Sequence, residues 1–589
     1  MHLNAEQQQA VEEDGHCLVV ACPGSGKTSV ITQKISALIS RYPASRICAV
    51  TFTRDAAAEL KRRVASLVGD AVANRRCRIG TFHSLAIKQL RASGQIGKVI
   101  SPAEQRAYLF RAMNHVDPQM TYEQAAAIIE KAKTTFSDCE EKESALYQTY
   151  AEMLSRNKVE DLYDVLRRSV QLMQSGDLPP LPVEYMLVDE FQDTDHIQLA
   201  WVMCHVRSGT IVTAVGDDDQ SIYGWRGALG YPGMADFAAR APAKIINLST
   251  NYRCRKEILD VADLLISKNE ARVPKALFAN RSVGGRVVTE RYGSRENEAE
   301  AVITEALKQA TPLKDPNGLF SYSVEGGVWA VLSRNRFLLD GVELALQEAG
   351  LTYFRSAGES MWSRQPFVSM LALMRSVQSG DTDGVDLALN HGISFKVGKA
   401  IAKATLDELH KALGSDFSQI LDGGEMPYDQ LDSEAASVVK TFVACAKGWR
   451  NNVRNGRYAT TCRGIASWFA KFEDGEDRKE LVTKMGEIAA KLSGTLIRRA
   501  NTLTMQMPDN EQATPRGVHL YTMHGAKGLE FNNVWIVGAD TETIPSPKSV
   551  DYAEERRLMY VAMTRAKDNL YLSSAISSKP SPFLADAGL

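Results

Sequence analysis

The sequence contains no run of 18 or more apolar residues, so it predicts no transmembrane helix. Its polar N-terminus lacks the apolar core that a secretory signal needs. The nine cysteines are scattered, and no two of them form a CxxC pair. We therefore expect reduced thiols in a cytoplasmic protein, and neither a disulfide framework nor a zinc or iron–sulfur site.

An excess of charge of one sign is also lacking, because 69 Lys and Arg residues are balanced by 71 Asp and Glu residues. The resulting net charge of −2 does not exclude binding to nucleic acid. It means that any phosphate contact must come from a local groove and not from a generally basic surface.

The composition is that of an ordinary folded protein, with 44% hydrophobic and 24% charged residues. This composition excludes disorder as the main state of the chain. At about 100–200 residues per domain, the length of 589 residues predicts three to five structural units.

Short apolar runs followed by helical patterns predict an α/β fold with parallel sheets. Cys17–Ala21 and Ile47–Phe52 are predicted strands, and helices are predicted from Lys27 and over Arg54–Val68. A second α/β region is predicted to begin near Leu248. Further strands are predicted over Tyr185–Val188, Ile211–Val215, Val518–Met523, Val534–Gly538 and Leu570–Ser574.

Two long stretches have helical patterns without convincing strands. Residues 89–175 are rich in Ala, Glu, Lys, Gln and Arg, and residues 371–500 are also mostly helical in pattern. The sequence thus predicts two α/β cores, each interrupted by a mainly helical insertion.

The segment Ala21–Thr28 (ACPGSGKT) lies between a predicted strand and a predicted helix, which is the context of a phosphate-binding P-loop. Glycines let backbone amides surround phosphate oxygens, and the helix N-terminus adds partial positive charge. Lys27 is predicted to reach the β- and γ-phosphates, and Thr28 to ligate Mg²⁺. Ala21 replaces the first glycine of the usual pattern, and the alternative is an ordinary glycine-rich turn. The predicted nucleotide-binding residues of this loop are Pro23, Gly24, Ser25, Gly26, Lys27 and Thr28.

A pair of carboxylates follows another apolar run. Asp189 and Glu190 come directly after the predicted strand Tyr185–Val188. Asp189 is placed to hold Mg²⁺, directly or through water, and Glu190 to accept a proton from an attacking water. The alternative is an acidic strand end in solvent, which a P-loop in the same chain disfavours.

These carboxylates belong to Asp189–Asp193 (DEFQD), which together with Gly216–Ala228 (GDDDQSIYGWRGA) closely resembles the UvrD/Rep/PcrA family of superfamily 1 DNA helicases. Other motifs resemble this family in the same order along the chain. They are Leu3–Gln7 (LNAEQ), Val50–Leu60 (VTFTRDAAAEL), Gly80–Ser84 (GTFHS), Leu248–Arg253 (LSTNYR), Thr522–Phe531 (TMHGAKGLEF) and Glu555–Ala566 (ERRLMYVAMTRA).

The resemblance implies two RecA-like P-loop domains that face each other with ATP between them, so that hydrolysis requires their closure. The first core, 1A, is expected in residues 1–88 and 176–250, with the helical insertion 1B at 89–175. The second core, 2A, is expected in residues 251–370 and 501–589, with a reduced insertion 2B at 371–500.

The resemblance also implies roles for residues around ATP. Gln7 would read the adenine, Tyr252 would stack on it, and Glu530 would contact the ribose. Arg253 and Arg565, assigned to the second core, would meet the γ-phosphate as arginine fingers, which contribute about 10³–10⁵ in rate. For each of these arginines considered alone, the alternative is an ordinary surface position without a role at ATP.

On the DNA side, the resemblance implies that Gln220 senses the γ-phosphate and links it to bound single-stranded DNA. Trp225 and Tyr223 would offer stacking surfaces, and Phe52 would help to form a base pocket. The alternative for Trp225 is a core position, but its polar, glycine-rich surroundings favour an exposed loop. The family moves 3′ to 5′. Backbone contacts are expected from Thr81, His83, Thr522 and His524, and packing roles from Trp329, Trp362, Trp449, Trp468 and Trp535.

Three departures from the family bear on unwinding. Leu570–Lys579 runs almost directly into a tail that ends at Leu589, so we expect a trimmed duplex-splitting hairpin and no C-terminal extension. The 371–500 insertion is short, and its duplex-gripping segment appears only as Phe395–Gly398 (FKVG). Met361-Trp362 replaces the aromatic pair at the entry of that insertion. We therefore predict strong DNA-stimulated ATPase activity and reduced unwinding by the protein alone.

Two functional hypotheses follow. The first is an ATP-driven motor on single-stranded DNA and 3′-tailed duplex. The second is an ATP-gated switch or recruitment subunit that works with a partner such as a nuclease or a repair or defence protein. A helicase–nuclease in one chain is not expected, because few residues follow the last motif, and the resemblance disfavours an RNA helicase.

Overall fold

The computed structural model describes residues 3–117, 119–134, 141–314, 320–355, 360–414, 418–504 and 515–589. The first part of the chain alternates strands and helices, as predicted. Helix α1 begins with a capping box, in which the Asn4 side chain accepts from the amide of Gln7 and the Gln7 side chain accepts from the amide of Asn4. The elements are α1 (Ala5–Glu12), β1 (Cys17–Ala21), α2 (Lys27–Arg41), β2 (Ile47–Thr51), α3 (Arg54–Val68), α4 (Asp70–Arg76), β3 (Cys77–Thr81) and α5 (Phe82–Ala92).

The first insertion is helical, with one addition to the prediction. Two short strands pair in parallel at its base, where the sequence pattern indicated none. Two residues are too few to give the alternation by which strands are recognised. The elements are β4 (Lys98–Val99), α6 (Pro102–Val116), α7 (Tyr122–Thr134), α8 (Glu141–Arg156), β5 (Val159–Glu160) and α9 (Leu162–Ser175).

The chain then returns to the first sheet. Three short 3₁₀ helices lie in this part of the chain, at Phe191–Asp193, Asp218–Gln220 and Gly224–Arg226. The elements are β6 (Tyr185–Val188), α10 (His196–Arg207), β7 (Ile211–Gly216), α11 (Gly230–Arg240), β8 (Lys244–Leu248), β9 (Thr250–Arg255), α12 (Lys256–Ile266) and β10 (Phe278–Arg281).

The second α/β region and its helical insertion follow. The first part comprises β11 (Arg286–Tyr292), α13 (Arg295–Leu307), β12 (Thr311–Pro312), β13 (Tyr322–Ser323), β14 (Trp329–Ser333), α14 (Arg336–Glu348) and β15 (Tyr353–Arg355). The insertion comprises α15 (Phe367–Ser379), α16 (Asp383–Val397), α17 (Lys399–Leu413), α18 (Ser418–Asp422), α19 (Ser433–Arg454), α20 (Tyr458–Ala470), α21 (Glu476–Lys491) and α22 (Leu496–Thr504). The chain closes with β16 (Val518–Thr522), β17 (Phe531–Ile536), α23 (Tyr552–Met563), β18 (Ala566–Ala575) and α24 (Pro582–Asp586).

The first sheet has six strands in the order β3-β2-β6-β7-β1-β8, and all neighbours are parallel. Residues of β1 and β2 are buried throughout, which explains their continuous apolar runs. Because the strands are parallel, their carboxyl ends share one edge. The segments that follow β1, β6 and β7 therefore meet at this edge.

The second sheet has the order β11-β18-β17-β14-β16-β15, with β14 parallel to both β16 and β17. Trp329 and Trp535 are buried and stack on Tyr571, with ring centroids 5.7 and 4.7 Å apart. The predicted α/β class with two parallel sheets is thus confirmed.

The remaining tryptophans with predicted packing roles are also buried. Trp362, Trp449 and Trp468 are at most 5% exposed in the core of the helical insertion. Phe442 makes edge-to-face contacts with both Trp449 and Trp468. No described helix is long and apolar enough to cross a membrane.

By its internal contacts the chain divides into two compact units. Unit 1 holds residues up to 286 together with 548–568 and 583–589, and unit 2 holds residues 287–547 and 569–582. This division differs from the domain boundaries predicted from the sequence, which assign residues 251–286 and 548–568 to the second core. The boundaries of the four expected domains stay a prediction.

Candidate functional site

The loop between β1 and α2 has the backbone of an anion cradle. Gly24 and Gly26 have φ values of +64° and +82°, which favour glycine. Gly26 caps α2 without a side-chain hydrogen bond, and the N-terminus of a helix attracts anions through its amides and its dipole. The buried Ser25 hydroxyl also lacks a hydrogen-bond partner within the described residues. These features fit the phosphate site that the sequence predicts.

Lys27, at the start of α2, forms an ion pair with Glu190 at 2.7 Å. Burial lowers the pKa of Lys27, but the attraction of Glu190 and Asp189 outweighs burial, so the net pKa lies above its ordinary value. The Glu190 carboxylate also accepts a 2.6 Å hydrogen bond from Gln192. Lys27 is therefore charged and held at the carboxyl edge of the sheet, beside the predicted general base.

Asp189 lies next to this ion pair, and its carboxylate accepts a 2.9 Å hydrogen bond from the amide of Glu190. Burial and the charge of Glu190 raise the pKa of Asp189 to about 7, although Lys27 acts in the opposite direction. Thr28, the second predicted Mg²⁺ ligand, is half-buried in the first turn of α2. A carboxylate in this situation favours a bound cation, which would stabilise its ionised form.

Gln7 and Tyr252 lie beside the loop, as the predicted adenine contacts should. The Gln7 side-chain amide donates to the carbonyl of Ser25 at 2.9 Å. The backbone amide of Tyr252 donates to the carbonyl of Gly24 at 3.0 Å, and its hydroxyl accepts from Asn4 at 2.9 Å. The loop, α1 and β9 are thus joined by hydrogen bonds.

The two predicted arginine fingers lie in unit 1, together with the loop, although the sequence analysis assigned them to the second core. The reason is that β9 is bonded to the loop. Asn251 donates to the carbonyl of Pro23 at 2.6 Å, and Arg253 Nη1 donates to the carbonyl of Thr564 at 3.2 Å. The position of these two arginines relative to the loop depends on contacts between segments that are distant in sequence. A sequence motif does not show such contacts.

Arg565 is buried and donates to the side-chain oxygen of Gln220 at 3.1 Å. Burial and the charge of Arg253 lower the pKa of Arg565 to about 9. The amide nitrogen of Gln220 donates to Asp217. Gln220 therefore lies between an acidic group and a buried guanidinium whose charge an added anion would stabilise.

The predicted DNA-contacting residues of unit 1 lie in two groups. Trp225 is 62% exposed, which confirms the expected exposed loop, and the Arg226 guanidinium lies 4.5 Å from its ring centroid. Tyr223 is half-buried in the same loop. Phe52 follows β2 and packs edge-to-face on Phe82 at 5.6 Å. Next to Phe82, Thr81 caps α5, and the pKa of the half-buried His83 is lowered by burial.

Three predicted residues lie in unit 2. Thr522 ends β16, and its hydroxyl accepts from the amide of Gly525 at 3.1 Å. His524 is half-buried in the following turn, and Glu530 is exposed just before β17. The roles of these residues in DNA and ribose binding stay predictions.

The structure adds residues that the sequence analysis did not single out. Gln192 bridges two strand ends, because its amide donates to Glu190 and its carbonyl oxygen accepts from the amide of Asp217 at 2.9 Å. The position of Gln192 within the DEFQD motif was the one feature of the sequence that could have indicated a role for it. Lys275, buried beside Asp217, lies outside every quoted motif, and no local pattern marks it.

We predict that Asp189→Asn raises the unfolding temperature of the nucleotide-free protein more at pH 8 than at pH 5. The folded pKa of about 7 lies above the value of about 3.9 in an unfolded chain. Stability therefore falls as the pH rises between these values, and the full penalty of the ionised carboxylate applies above pH 7. Asparagine removes this penalty.

Scanning calorimetry without nucleotide or Mg²⁺ measures the effect. Asp429→Asn, at an exposed position, is the matched control and should change little at either pH. An equal gain for Asp189→Asn at both pH values would contradict the electrostatic account of this site.

Comparison with known proteins shows the family to which the chain belongs. The family model described as the UvrD/REP helicase N-terminal domain matches residues 3–230, and that of the UvrD-like helicase C-terminal domain matches residues 246–431 and 444–577. The ATP-dependent DNA helicase PcrA of Leuconostoc citreum is 28% identical, with 99% of this chain and 84% of the relative covered. The PcrA helicase of Staphylococcus epidermidis is 27% identical with 99% and 86% covered, and that of Staphylococcus aureus is 26% identical with 98% and 83% covered. Because the matched family models cover most of its length, the chain belongs to the UvrD-like family of ATP-dependent DNA helicases.

Proposed function

We propose that the chain hydrolyses ATP at the loop after β1 and uses the reaction to move 3′ to 5′ along single-stranded DNA. The observation that carries the proposal is a continuous line of hydrogen bonds at the carboxyl edge of the first sheet. It begins at the loop lysine and ends at the 3₁₀ helix that precedes the exposed tryptophan. Its members are Lys27, Glu190, Gln192, Asp217 and Gln220. The direction of movement is supported by the family resemblance alone.

In the proposed hydrolysis step, Glu190 accepts the proton of the attacking water. Its carboxylate is paired with Lys27. A phosphate group at the loop would attract Lys27 and so leave Glu190 available as a base. Arg253 and Arg565 would stabilise the charge that develops on the γ-phosphate.

Thr28 and Asp189 would hold Mg²⁺, because a hydroxyl and a carboxylate are the oxygen ligands that this ion prefers. When bound, Mg²⁺ neutralises phosphate charge during transfer. The raised pKa of Asp189 supports this assignment, because a cation relieves the cause of the shift. Gln7 and Tyr252 would hold the adenine, and Glu530 the ribose.

Single-stranded DNA would stack on Trp225 and Tyr223 and enter a pocket formed in part by Phe52. An exposed aromatic ring beside an arginine suits a base and its phosphate together. Further backbone contacts are proposed for Thr81, His83, Thr522 and His524. Rearrangement of the two RecA-like domains during the ATP cycle would then advance the protein along the strand.

A second candidate is an ATP-gated switch that acts with a partner protein such as a nuclease. The observation that favours it is the chain between β18 and α24, where residues 576–581 form no hairpin. The proposed motor would then move on DNA but separate strands weakly until the partner is present. The partner and the cytoplasmic location stay predictions.

ATP hydrolysis with and without single-stranded DNA tests the proposal, with Lys27→Ala as the blank. We expect strong stimulation by DNA, and unwinding of a 3′-tailed duplex but not of a 5′-tailed one. Stimulation without unwinding of either duplex would favour the ATP-gated switch. If DNA leaves the hydrolysis rate of the parent unchanged, the motor function is wrong.

We predict that Trp225→Ala weakens binding of single-stranded DNA by about 5- to 150-fold, the equivalent of about 1–3 kcal/mol for one stacked base. Fluorescence anisotropy with labelled oligothymidylate measures the affinity. Phe278→Ala is the matched control, since Phe278 is a similarly exposed aromatic residue (60%) of unit 1 that the proposal does not use. Equal affinities of the two variants would show that Trp225 is not a stacking platform.

A further inference from the structure

A buried lysine lies behind the proposed ATP site. The ammonium of Lys275, between α12 and β10, is 1% exposed and pairs with Asp217 at 2.6 Å. It also pairs with Asp218 and Asp219, each at 2.9 Å. A fourth contact of 3.3 Å reaches the carbonyl of Ala21, the last residue of β1 before the loop. One cation thus holds three buried carboxylates, here called the acidic triad, and joins them to the loop.

Neighbouring residues strengthen this attachment. Arg272 donates two hydrogen bonds, of 3.0 and 2.7 Å, to Asp219, and the amide of Val273 donates to Asp218 at 2.7 Å. Asn269 donates to a backbone carbonyl of α23 at 3.0 Å. The 269–275 segment is therefore fixed both to the acidic triad and to the helix that precedes Arg565.

The acidic triad resembles a cation site in composition, but its centre is filled by the chain itself. The three carboxylates converge closely enough to hold a metal ion. Lys275 already contacts all three of them, and Arg272 contacts Asp219. Two side-chain cations therefore already contact the acidic triad, and Lys275 lies where an added ion would bind all three carboxylates.

The two oxygens of Asp217 have different partners. One accepts from Lys275, and the other accepts from the side-chain amide of Gln220. The remaining side-chain atom of Gln220, its carbonyl oxygen, accepts from Arg565 at 3.1 Å. The orientation of the Gln220 amide thus depends on a carboxylate that Lys275 fixes.

We propose that Lys275 is a positioning residue for ATP hydrolysis, which holds Asp217 so that Gln220 is oriented between the phosphate site and Arg565. This inference rests on the proposed function of Gln220 as a sensor of the γ-phosphate. Lys275 itself does not touch the nucleotide. A displacement of about 1 Å at such a group can cost about 100-fold in rate.

The test is a double-mutant cycle in the full-length protein, with ATP and saturating oligothymidylate. Lys275→Met should lower kcat by about 10- to 100-fold and leave the KM for ATP within about threefold, because orientation matters most in the transition state. In a Gln220→Ala background, Lys275→Met should lower kcat by no more than about twofold further, since the residue it positions is gone. If the kcat losses of Lys275→Met and Gln220→Ala multiply in the double variant, the proposal is wrong. It is also wrong if Lys275→Met raises the KM for ATP and leaves kcat unchanged.

A second variant keeps the test decisive if Lys275→Met does not fold. Lys275→Met combined with Asp218→Asn removes one buried charge of each sign, and the Asp218 carboxylate accepts from Lys275 and from the amide of Val273. Its kcat should lie about tenfold or more below that of Asp218→Asn alone, because only the double variant lacks the cation that fixes Asp217. If the double variant folds and hydrolyses ATP at the parent rate, Lys275 has no positioning role.

Different results would contradict the role proposed for Gln220 and the role proposed for Lys275. If Gln220→Ala hydrolyses ATP at the parent rate with DNA, the role proposed for Gln220 is wrong and the inference falls with it. If Gln220→Ala loses activity but Lys275→Met adds a full further loss in that background, only the inference about Lys275 is wrong.

Discussion

The parallel pairing of β6, β7 and β1, which are neighbours in the first sheet, is the constraint on which the whole site depends. Parallel strands end at one edge, so the loop after β1, the carboxylates after β6 and the acidic triad after β7 are brought together. Gln192 then joins two of these strand ends through its side-chain amide. The chemistry follows from this edge, because residues far apart in sequence meet there.

Two buried charges of opposite sign at this edge, one carboxylate and one guanidinium, are poorly compensated. Asp189 has a raised pKa of about 7, and Arg565 has a lowered pKa of about 9. Burial is the largest cause in both cases, and a neighbour of like charge adds to it. A bound cation and a bound anion would relieve these two effects, which is what Mg²⁺ with a nucleotide offers. Lys27 and Lys275, in contrast, are held by several carboxylates.

Much of the fold could be predicted from the sequence, since buried parallel strands are continuous apolar runs. Strand β1 and helix α3 have the predicted bounds, and Trp225 is exposed as its polar neighbours indicated. Lys275 could not be found in this way. Its partners lie more than 50 residues earlier, and a single lysine in a connecting segment has no periodicity or motif. The contact of the segment around Arg253 with the loop likewise depends on long-range hydrogen bonds of β9, which no local sequence pattern shows.

The central claim is that the phosphate site and the exposed tryptophan loop are coupled through Gln192 and Gln220. Its most direct test is the affinity for oligothymidylate, measured by anisotropy with and without a non-hydrolysable ATP analogue, in the parent and in Gln192→Leu. Coupling is a free energy shared by two sites, so the analogue should change DNA affinity in the parent by about fivefold or more. The account predicts that this change is lost in Gln192→Leu while the analogue still binds. An equal change in both proteins would contradict it.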